Sequence, residues 1–119
     1  MDELSATDKR LTVVKAIKFL LPTCGEKRAL TYLDGKGHEI EVQTFSDVMD
    51  CADRIAAYLQ REMGLRPGDR AVLLYPPGQE FILAFLGCIV AGVVAVPVYP
   101  PHPYRMDTDL PRLNMIVKN

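Results

Sequence analysis

The chain has 119 residues, of which 49% are hydrophobic and 24% are charged, a composition typical of one globular domain or part of one. Its 14 Lys and Arg against 15 Asp and Glu give a formal net charge of -1, which gives no support for a nucleic-acid-binding surface, and we predict no nucleic-acid partner. Cys24, Cys51 and Cys88 form no CxxC pair, so we expect no disulfide framework or zinc site, and a reducing, cytoplasmic setting.

The first predicted helix runs from Thr7 to Leu21, where apolar residues recur close to helical spacing. Pro22 is expected to end it, because proline has no N–H to donate. The opening residues are polar and contain no apolar signal core. We therefore expect residues 1–9 to be a disordered start rather than a targeting segment.

A β-hairpin and a second helix follow. Residues 28–44 alternate in the manner of strands on either side of Asp34–Gly37, which has a turn composition. Thr44 and Asp47 have the spacing of a capping box, which explains both residues without acid–base chemistry. The expected end of that helix is Gly64, a natural C-cap. Its predicted apolar face consists of Val48, Cys51, Ala52, Ile55, Leu59 and Met63.

The turn "LRPGD" leads into a predicted β-α-β unit. Strand Arg70–Tyr75, helix Glu80–Ala91 and strand Val93–Val98 are almost continuously apolar, which is typical of parallel strands joined by a right-handed helical crossover. The predicted core of this unit comprises Val72, Leu74, Phe85, Leu86, Ile89, Val94 and Val96. Truncating Leu74 or Phe85 to Ala would then cost about 2 to 5 kcal/mol.

Residues 81–98 contain no charge over 18 positions, which is the lower limit for a membrane span. Two glycines, a late proline and the change to β-branched residues favour a buried helix followed by a strand. A span also normally has basic residues close to its ends, and none lies there. We predict no transmembrane segment.

The last stretch, "YPPHPYRMDTDLPRLNMIVKN", begins with prolines that argue against regular structure until about Asp109. Pro111 suits the first turn of a final helix. The apolar stripe of that helix is Leu110, Leu113, Ile116 and Val117.

Two proline-containing loops follow the two parallel strands, at the carboxyl ends where open α/β sheets bind ligands. Proline also stops a strand, so turn chemistry alone is the alternative explanation. Arg105 and Arg112 are the cations near the second loop and are candidates for a phosphate or carboxylate. The candidate ligand-side residues are Pro76, Pro77, Gly78, Tyr99, Pro100, Pro101 and Arg105.

The remaining chemistry is sparse. The sequence contains neither GxxxxGK[ST] nor GxGxxG, the loops that hold phosphates. His38 lies beside the hairpin turn and His102 among prolines, so both are interpreted as solvated loop residues. We assign no catalytic, cofactor-binding or metal-binding residue to the chain.

The order of these elements resembles the beginning of adenylate-forming enzymes, the acyl-CoA synthetase superfamily. The general features are the strand pair, the Thr-aromatic helix start, "GLRPGDR" and "AGVVAVP". The narrower features, "LLYPPGQEFILAFLGC", "VPVYPP" and "LPRLNMIV", are similar to fatty acyl-AMP ligases. The predicted fold is thus α/β: an N-terminal helix and a β-hairpin, then a β-α-β unit with parallel strands. The resemblance makes residues 1–119 an N-terminal fragment of the large N-terminal domain of these enzymes.

The resemblance implies a two-step reaction for a full-length enzyme. A fatty acid, ATP and magnesium give acyl-adenylate and pyrophosphate, and the acyl group then passes to a phosphopantetheine thiol of an acyl carrier protein or of coenzyme A. The phosphate loop, the adenine-binding segment and the catalytic lysine of the family lie outside the region matched here. We therefore expect the chain alone to be inactive and to bind none of these cofactors.

Two alternatives remain open from the sequence. The same scaffold could come from a long-chain acyl-CoA synthetase, or the chain could be a free-standing non-catalytic module that binds protein or lipid. The apolar helix after Glu80 needs cover on two faces. An isolated chain is therefore expected to expose an apolar patch and to self-associate.

Overall fold

The computed structural model describes residues 12–118, so the expected disordered start at residues 1–9 lies outside the described residues. The described chain contains the helices and strands that the sequence predicts, in the predicted order. Their bounds are α1 Val13–Cys24, β1 Arg28–Leu33, β2 Glu39–Thr44, α2 Phe45–Arg61, β3 Arg70–Leu74, α3 Gln79–Ala91, β4 Val94–Val98 and α4 Met106–Lys118. The mixed α/β fold, with an antiparallel hairpin and a parallel β-α-β unit, is confirmed.

Helix α1 does not end at Pro22, and that prediction is wrong. Thr12 is the N-cap and its hydroxyl accepts the Lys15 N–H at 3.2 Å, so the helix begins at Val13. Pro22 lies inside the last turn and the helix continues to Cys24. A proline there has a helical φ and removes a single hydrogen bond, which so short an extension tolerates.

The hairpin is held at its turn by one carboxylate. Oδ1 of Asp34 accepts the N–H groups of Lys36 and His38 at 2.8 and 2.9 Å. These two donors, the His38 N–H first, hold the pKa of Asp34 below its ordinary value. The antiparallel pairing of β1 with β2 then brings Tyr32 opposite Glu41.

Helix α2 begins with the predicted capping box. The Thr44 hydroxyl accepts the Asp47 N–H at 3.1 Å, and the Asp47 carboxylate accepts the Thr44 N–H at 3.0 Å. The helix ends earlier than predicted: its C-cap is Glu62, and Gly64 follows with a left-handed φ of 68°. Met63 is 56% exposed and does not belong to the buried face. The buried residues of α2 are Val48, Met49, Ala52 and Ala56.

The core lies where α2 packs against α3 and α3 covers one face of the β3–β4 sheet. Small residues allow the two helices to approach closely. A Cβ added to Gly87 would lie 2.7 Å from the Ile55 Cβ and 3.5 Å from the Ala52 carbonyl oxygen, so the helices could not keep this distance with a larger residue. The buried cluster consists of Ala56, Leu73, Ala84, Cys88, Ala91 and Val93.

The predicted core of the β-α-β unit is wrong in its strand positions by one residue. Leu73 is 7% exposed, whereas Leu74 is 44% exposed, and Val72 and Val94 are exposed as well. Alternate residues of a strand face opposite sides, so α3 covers the Leu73 side and leaves the Val72 and Leu74 side uncovered. The helix and remaining strand members of that predicted core are half-buried: Phe85, Leu86, Ile89 and Val96.

The uncharged run of residues 81–98 divides at Gly92 into a helix and a strand. Gly92 has a left-handed φ of 73° and its N–H donates to the carbonyls of Cys88 and Ile89, which closes α3. No helix within residues 12–118 is long and apolar enough to cross a membrane.

Helix α4 begins at Met106, three residues earlier than predicted. A short 3₁₀ turn at Pro103–Arg105, with the Arg105 N–H donating to the His102 carbonyl at 2.9 Å, leads directly into it. Pro111 therefore lies inside the helix rather than in its first turn. No residue of α4 is buried within the described chain.

Paired truncations test which side of β3 belongs to the core. We expect Leu73→Ala to lower the free energy of unfolding by about 2 to 5 kcal/mol, because it leaves a cavity beneath α3. Leu74→Ala, the matched neighbour, removes an exposed side chain and should change it by at most about 1 kcal/mol. Urea denaturation of both variants measures this, and a larger loss from Leu74→Ala than from Leu73→Ala would show that the strand has the opposite facing.

The hairpin turn gives a pH dependence with a defined sign. Because the folded pKa of Asp34 is lowered, its charge stabilises the fold at neutral pH, and this contribution is lost as the pH falls through the folded pKa. Asp34→Asn keeps an acceptor oxygen without the charge. We expect the parent to exceed this variant in urea midpoint at pH 7 and the difference to shrink in acid. A constant difference across pH would contradict the assignment.

Candidate functional site

An apolar cavity lies at the carboxyl ends of the two parallel strands. Its volume is about 240 Å³. The register that pairs Leu74 with Val98 places the residues after both strands at one edge of the sheet. The lining residues are Tyr75, Pro77, Phe81, Pro97, Val98 and Tyr99.

The loop after β3 shapes one wall of this cavity. Gly78 has φ 156° and ψ -167°, a backbone conformation that residues other than glycine rarely adopt. It turns the chain sharply into α3. Phe81 in the first turn of α3 therefore lies beside Pro77 on the same cavity. The Phe81 ring also contacts the Phe85 ring, with centroids 6.0 Å apart, which ties the wall to the partly buried side of α3.

The structure brings together only part of the predicted ligand-side set. Pro77 and Tyr99 line the cavity, and Tyr99 is 84% exposed at its mouth. Arg105 is in the 3₁₀ turn and does not line it. The other predicted residues, which also do not line it, are Pro76, Gly78, Pro100 and Pro101.

Sequence reasoning did not select four of the lining residues: Tyr75, Phe81, Pro97 and Val98. The signal that could have found them is the strand register. Once β3 and β4 are paired as parallel strands of equal length, the last residues of both strands and the first turn of the crossover helix must meet at the carboxyl edge.

The cavity is suited to an apolar group. None of its lining side chains is charged, and the hydroxyls of Tyr75 and Tyr99 are its polar side-chain groups. Aromatic rings and prolines bind hydrocarbon or another ring, whereas stabilising a phosphate would need backbone amides or cations aimed at it. This arrangement can bind an apolar group, and none of its lining side chains is a carboxylate, an imidazole or a thiol.

A larger groove of about 590 Å³ lies between α2 and α3. Its walls consist of aliphatic, tyrosine and cysteine side chains, with Arg54 and Glu80 as its charged lining residues. The Arg54 Nε donates to the carbonyl of Asp50 at 3.4 Å, so the guanidinium is held along its own helix. We interpret the groove as apolar surface of α2 and α3 that no other described element covers, rather than as a polar site.

A polar cluster joins the hairpin to the start of α3. Nε2 of Gln79 donates to Oε1 of Glu41 at 3.0 Å. Burial, followed by the Glu41 and Glu80 carboxylates, raises the pKa of Tyr32, which keeps this phenol protonated. In the described chain the Tyr32 hydroxyl and the Gln43 side-chain oxygen are buried without a protein partner.

The buried thiol of Cys88 and the two imidazoles have surroundings that give them a structural role. Cys88 is 1% exposed and burial raises the pKa of its thiol, which makes it a poor nucleophile. Nδ1 of His38 lies 3.2 Å from Oδ2 of Asp34 on the exposed turn. Nδ1 of His102 accepts the Tyr104 N–H at 3.2 Å, which occupies that nitrogen.

The described residues contain neither clustered metal ligands nor a glycine-rich phosphate loop. Residues 12–118 contain no group of three or more His, Cys, Asp or Glu side chains that could hold a metal ion. Helix α3 follows β3 after the loop "PPG", whose two prolines and single glycine offer few amides to phosphates. No step of a nucleotide reaction can be assigned to a residue of this segment.

Comparison with known proteins adds sequence and fold relatives. The chain is 39% identical over 87 residues to Disco-interacting protein 2 of Drosophila melanogaster, covering 73% of this chain and 5% of that protein. It is 35% identical over 106 residues to the medium-chain-fatty-acid–[acyl-carrier-protein] ligase JamA of Moorena producens, covering 89% of this chain and 18% of that ligase.

The fold matches the crystal structure of a fatty acid AMP ligase from Legionella pneumophila with a TM-score of 0.78 and 40% identity. The match covers 89% of this chain and 18% of the ligase, so the chain spans less than a fifth of the relatives it resembles. A family model described as AMP-binding enzyme matches residues 22–118. Since that match covers most of its length, the chain belongs to the AMP-binding enzyme family, with fatty acyl-AMP ligases among its structural neighbours.

Proposed function

We propose that this chain is the N-terminal scaffold portion of a fatty acyl-AMP ligase-like enzyme. The reaction is fatty acid plus ATP to acyl-adenylate plus pyrophosphate. The observation that carries the proposal is the joint agreement in fold and sequence with the Legionella ligase over nearly the whole of this chain. A long-chain acyl-CoA synthetase is the alternative within the same family.

The role of this segment in that reaction is architectural. The helix pair α2–α3 packs on the β3–β4 sheet, and this unit presents Pro77 and Tyr99 at the carboxyl edge. We assign these two residues to the ligand side of the enzyme. In such an enzyme, polypeptide outside this segment binds ATP and magnesium and supplies the catalytic groups. We assign these roles there because the described residues lack a phosphate-binding loop and clustered metal ligands.

The second half-reaction transfers the acyl group to a phosphopantetheine thiol. A carrier protein is favoured over coenzyme A as the acceptor, because JamA is by name a ligase for an acyl carrier protein. A cytoplasmic location fits the three cysteines, all of which are free thiols.

A non-catalytic binding module is the second candidate. The relatives named Disco-interacting protein 2 share between a third and about two fifths of their residues with this chain in the matched segment, and their name describes an interaction rather than a reaction. The exposed apolar residues of the β3–β4 sheet are compatible with a protein partner.

Activity separates these candidates. The purified chain alone should show no fatty-acid-dependent ATP–pyrophosphate exchange, because it has no groups that bind the phosphates. A chimera in which residues 12–118 replace the matched segment of the Legionella ligase should show exchange, because the scaffold is equivalent. The unmodified Legionella ligase is the control. Exchange by the isolated chain, or a soluble chimera that is inactive, would contradict the proposal.

Incomplete packing predicts the behaviour of the isolated chain. Its radius of gyration is 17.1 Å, whereas a compact domain of this length is expected at about 13.5 Å. We expect the purified chain to self-associate and to bind a hydrophobic dye. Leu74→Lys and Val94→Lys, on the uncovered sheet face, should reduce both effects.

Val13→Lys is the matched control, since Val13 is exposed on α1 and away from that face. Light scattering and dye fluorescence are the measurements. A stable, dye-silent monomer at high concentration would contradict incomplete packing and favour the free-standing module.

A further inference from the structure

The loop after β4 is joined to α4 through His102. The His102 N–H donates to Oδ2 of Asp109 at 3.0 Å, and the His102 carbonyl accepts the Arg105 N–H at 2.9 Å. Asp109 belongs to α4 and is half-buried, whereas the side chain of His102 is exposed. Both backbone groups of His102 are therefore paired with the turn and the helix that follow it, and its imidazole is open to protons from solvent.

The imidazole of His102 caps the 3₁₀ turn. Its Nδ1 accepts the Tyr104 N–H at 3.2 Å, and its ring lies beside the Tyr104 ring with the centroids 5.5 Å apart. Capping residues are more often Ser, Thr, Asp or Asn, whose side-chain oxygens accept a hydrogen bond throughout the neutral range of pH. A ring nitrogen accepts only while it carries no proton, so this contact requires the neutral imidazole with its hydrogen on Nε2. The cap is thus conditional on the protonation of His102.

Charged groups of both signs lie on the two elements next to this imidazole. On α4 the carboxylates of Asp107 and Asp109 favour a positive ring, whereas the Arg112 guanidinium opposes it. In the 3₁₀ turn Arg105 also opposes it, as do the amides at the start of α4 with their partial positive charge. Because these charges oppose one another, the most direct effect of protonation is on the hydrogen bond to Tyr104. An imidazolium has donors at both nitrogens and no acceptor.

The other histidine of the chain has the opposite kind of partner. Nδ1 of His38 lies 3.2 Å from Oδ2 of Asp34, which is an acceptor. Protonation of His38 therefore adds a charge-assisted hydrogen bond, whereas protonation of His102 removes a hydrogen bond. The chain contains two histidines, so mild acid acts on the hairpin turn and on the start of α4 with opposite signs.

We propose that His102 is a pH-sensitive cap, which holds the turn at Pro103–Arg105 and the first turn of α4 while its imidazole is neutral. A proton taken from solvent onto Nδ1 ends the hydrogen bond with the Tyr104 N–H, and the turn and the first residues of α4 then loosen. Imidazole changes its charge between about pH 5 and 8, so the cap is present in mild base and is lost as the pH falls through that range.

The cap also bears on the carboxyl-edge cavity. Tyr99 lies at the mouth of that cavity and precedes His102 by three residues of loop. At neutral pH the contacts of His102 with the turn and α4 hold the far end of this short loop. This device depends on contacts within the chain itself and does not require an adenylating activity.

Two substitutions of His102 define the capped and the uncapped states. His102→Asn places Oδ1 where Nδ1 lies and should cap the turn at every pH, whereas His102→Ala has no acceptor and should leave it uncapped. The parent and both variants, as the whole chain, are digested with trypsin at about pH 8 and about pH 5.5, on either side of the imidazole titration. Mass spectrometry measures cleavage after Arg105, which is exposed at the junction of the turn with α4. Comparing the three chains at one pH removes the pH dependence of trypsin itself.

We expect the parent to change from one reference state to the other. In mild base its cleavage after Arg105 should match that of His102→Asn. In mild acid it should be several-fold faster than in His102→Asn and approach that of His102→Ala. Cleavage after Arg61, an exposed residue at the end of α2, is the internal control and should keep the same ratio between the chains at both pH values.

Three results would overturn the proposal. The ratio of parent to His102→Asn could be the same at both pH values. His102→Ala could be cleaved no faster than His102→Asn in mild base, which would show that the imidazole does not cap the turn. The third is a rise after Arg61 equal to the rise after Arg105, since acid would then unfold the whole chain rather than the turn.

The amide proton of Tyr104 gives a spectroscopic measurement of the same hydrogen bond. In the parent its NMR signal should move upfield as His102 is protonated, because the bond to Nδ1 is lost. In His102→Asn the signal should stay in place over the same range of pH. A Tyr104 signal that does not move while the His102 ring signals titrate would contradict the cap.

Discussion

The close packing of α2 against α3 is the contact on which the rest of the described chain depends. Gly87 admits Ile55 and the Ala52 backbone at a distance that any side chain would prevent. On one side of this contact Thr44 is both the last residue of β2 and the N-cap of α2, so the hairpin is joined to the helix pair without a linker. On the other side α3 covers the β3–β4 sheet. Without the contact between α2 and α3, few interactions would hold the hairpin against the β3–β4 sheet.

This arrangement determines what the carboxyl edge can offer. The same helix that packs against α2 begins at Gln79, directly after the sharp turn at Gly78, and so brings Phe81 over the ends of both strands. The edge is consequently apolar and aromatic. An edge of this composition can hold an apolar ligand or a neighbouring apolar segment.

Features governed by short-range rules were predictable from the sequence. The Thr44–Asp47 capping box and the turn at Asp34 each require only residues within four positions of one another. The facing of β3 was not predictable, because its residues are apolar in both phases and nothing local distinguishes Leu73 from Leu74. The lining of the carboxyl-edge cavity was found in part, since Tyr75 and Phe81 join it through a register that is set over more than twenty residues.

The burial of Cys88 between the helices makes it an internal reporter of the fold. Its sulfur lies within the cluster formed by α2, α3 and the sheet, whereas Cys24 and Cys51 are only half-buried. A thiol reagent reaches such a sulfur only when the surrounding elements separate, so its rate of labelling follows the free energy of that opening. Covering the sheet with further polypeptide would slow the labelling of Cys88 without touching the residue itself. The chain thus carries a native probe for the completeness of the domain around it.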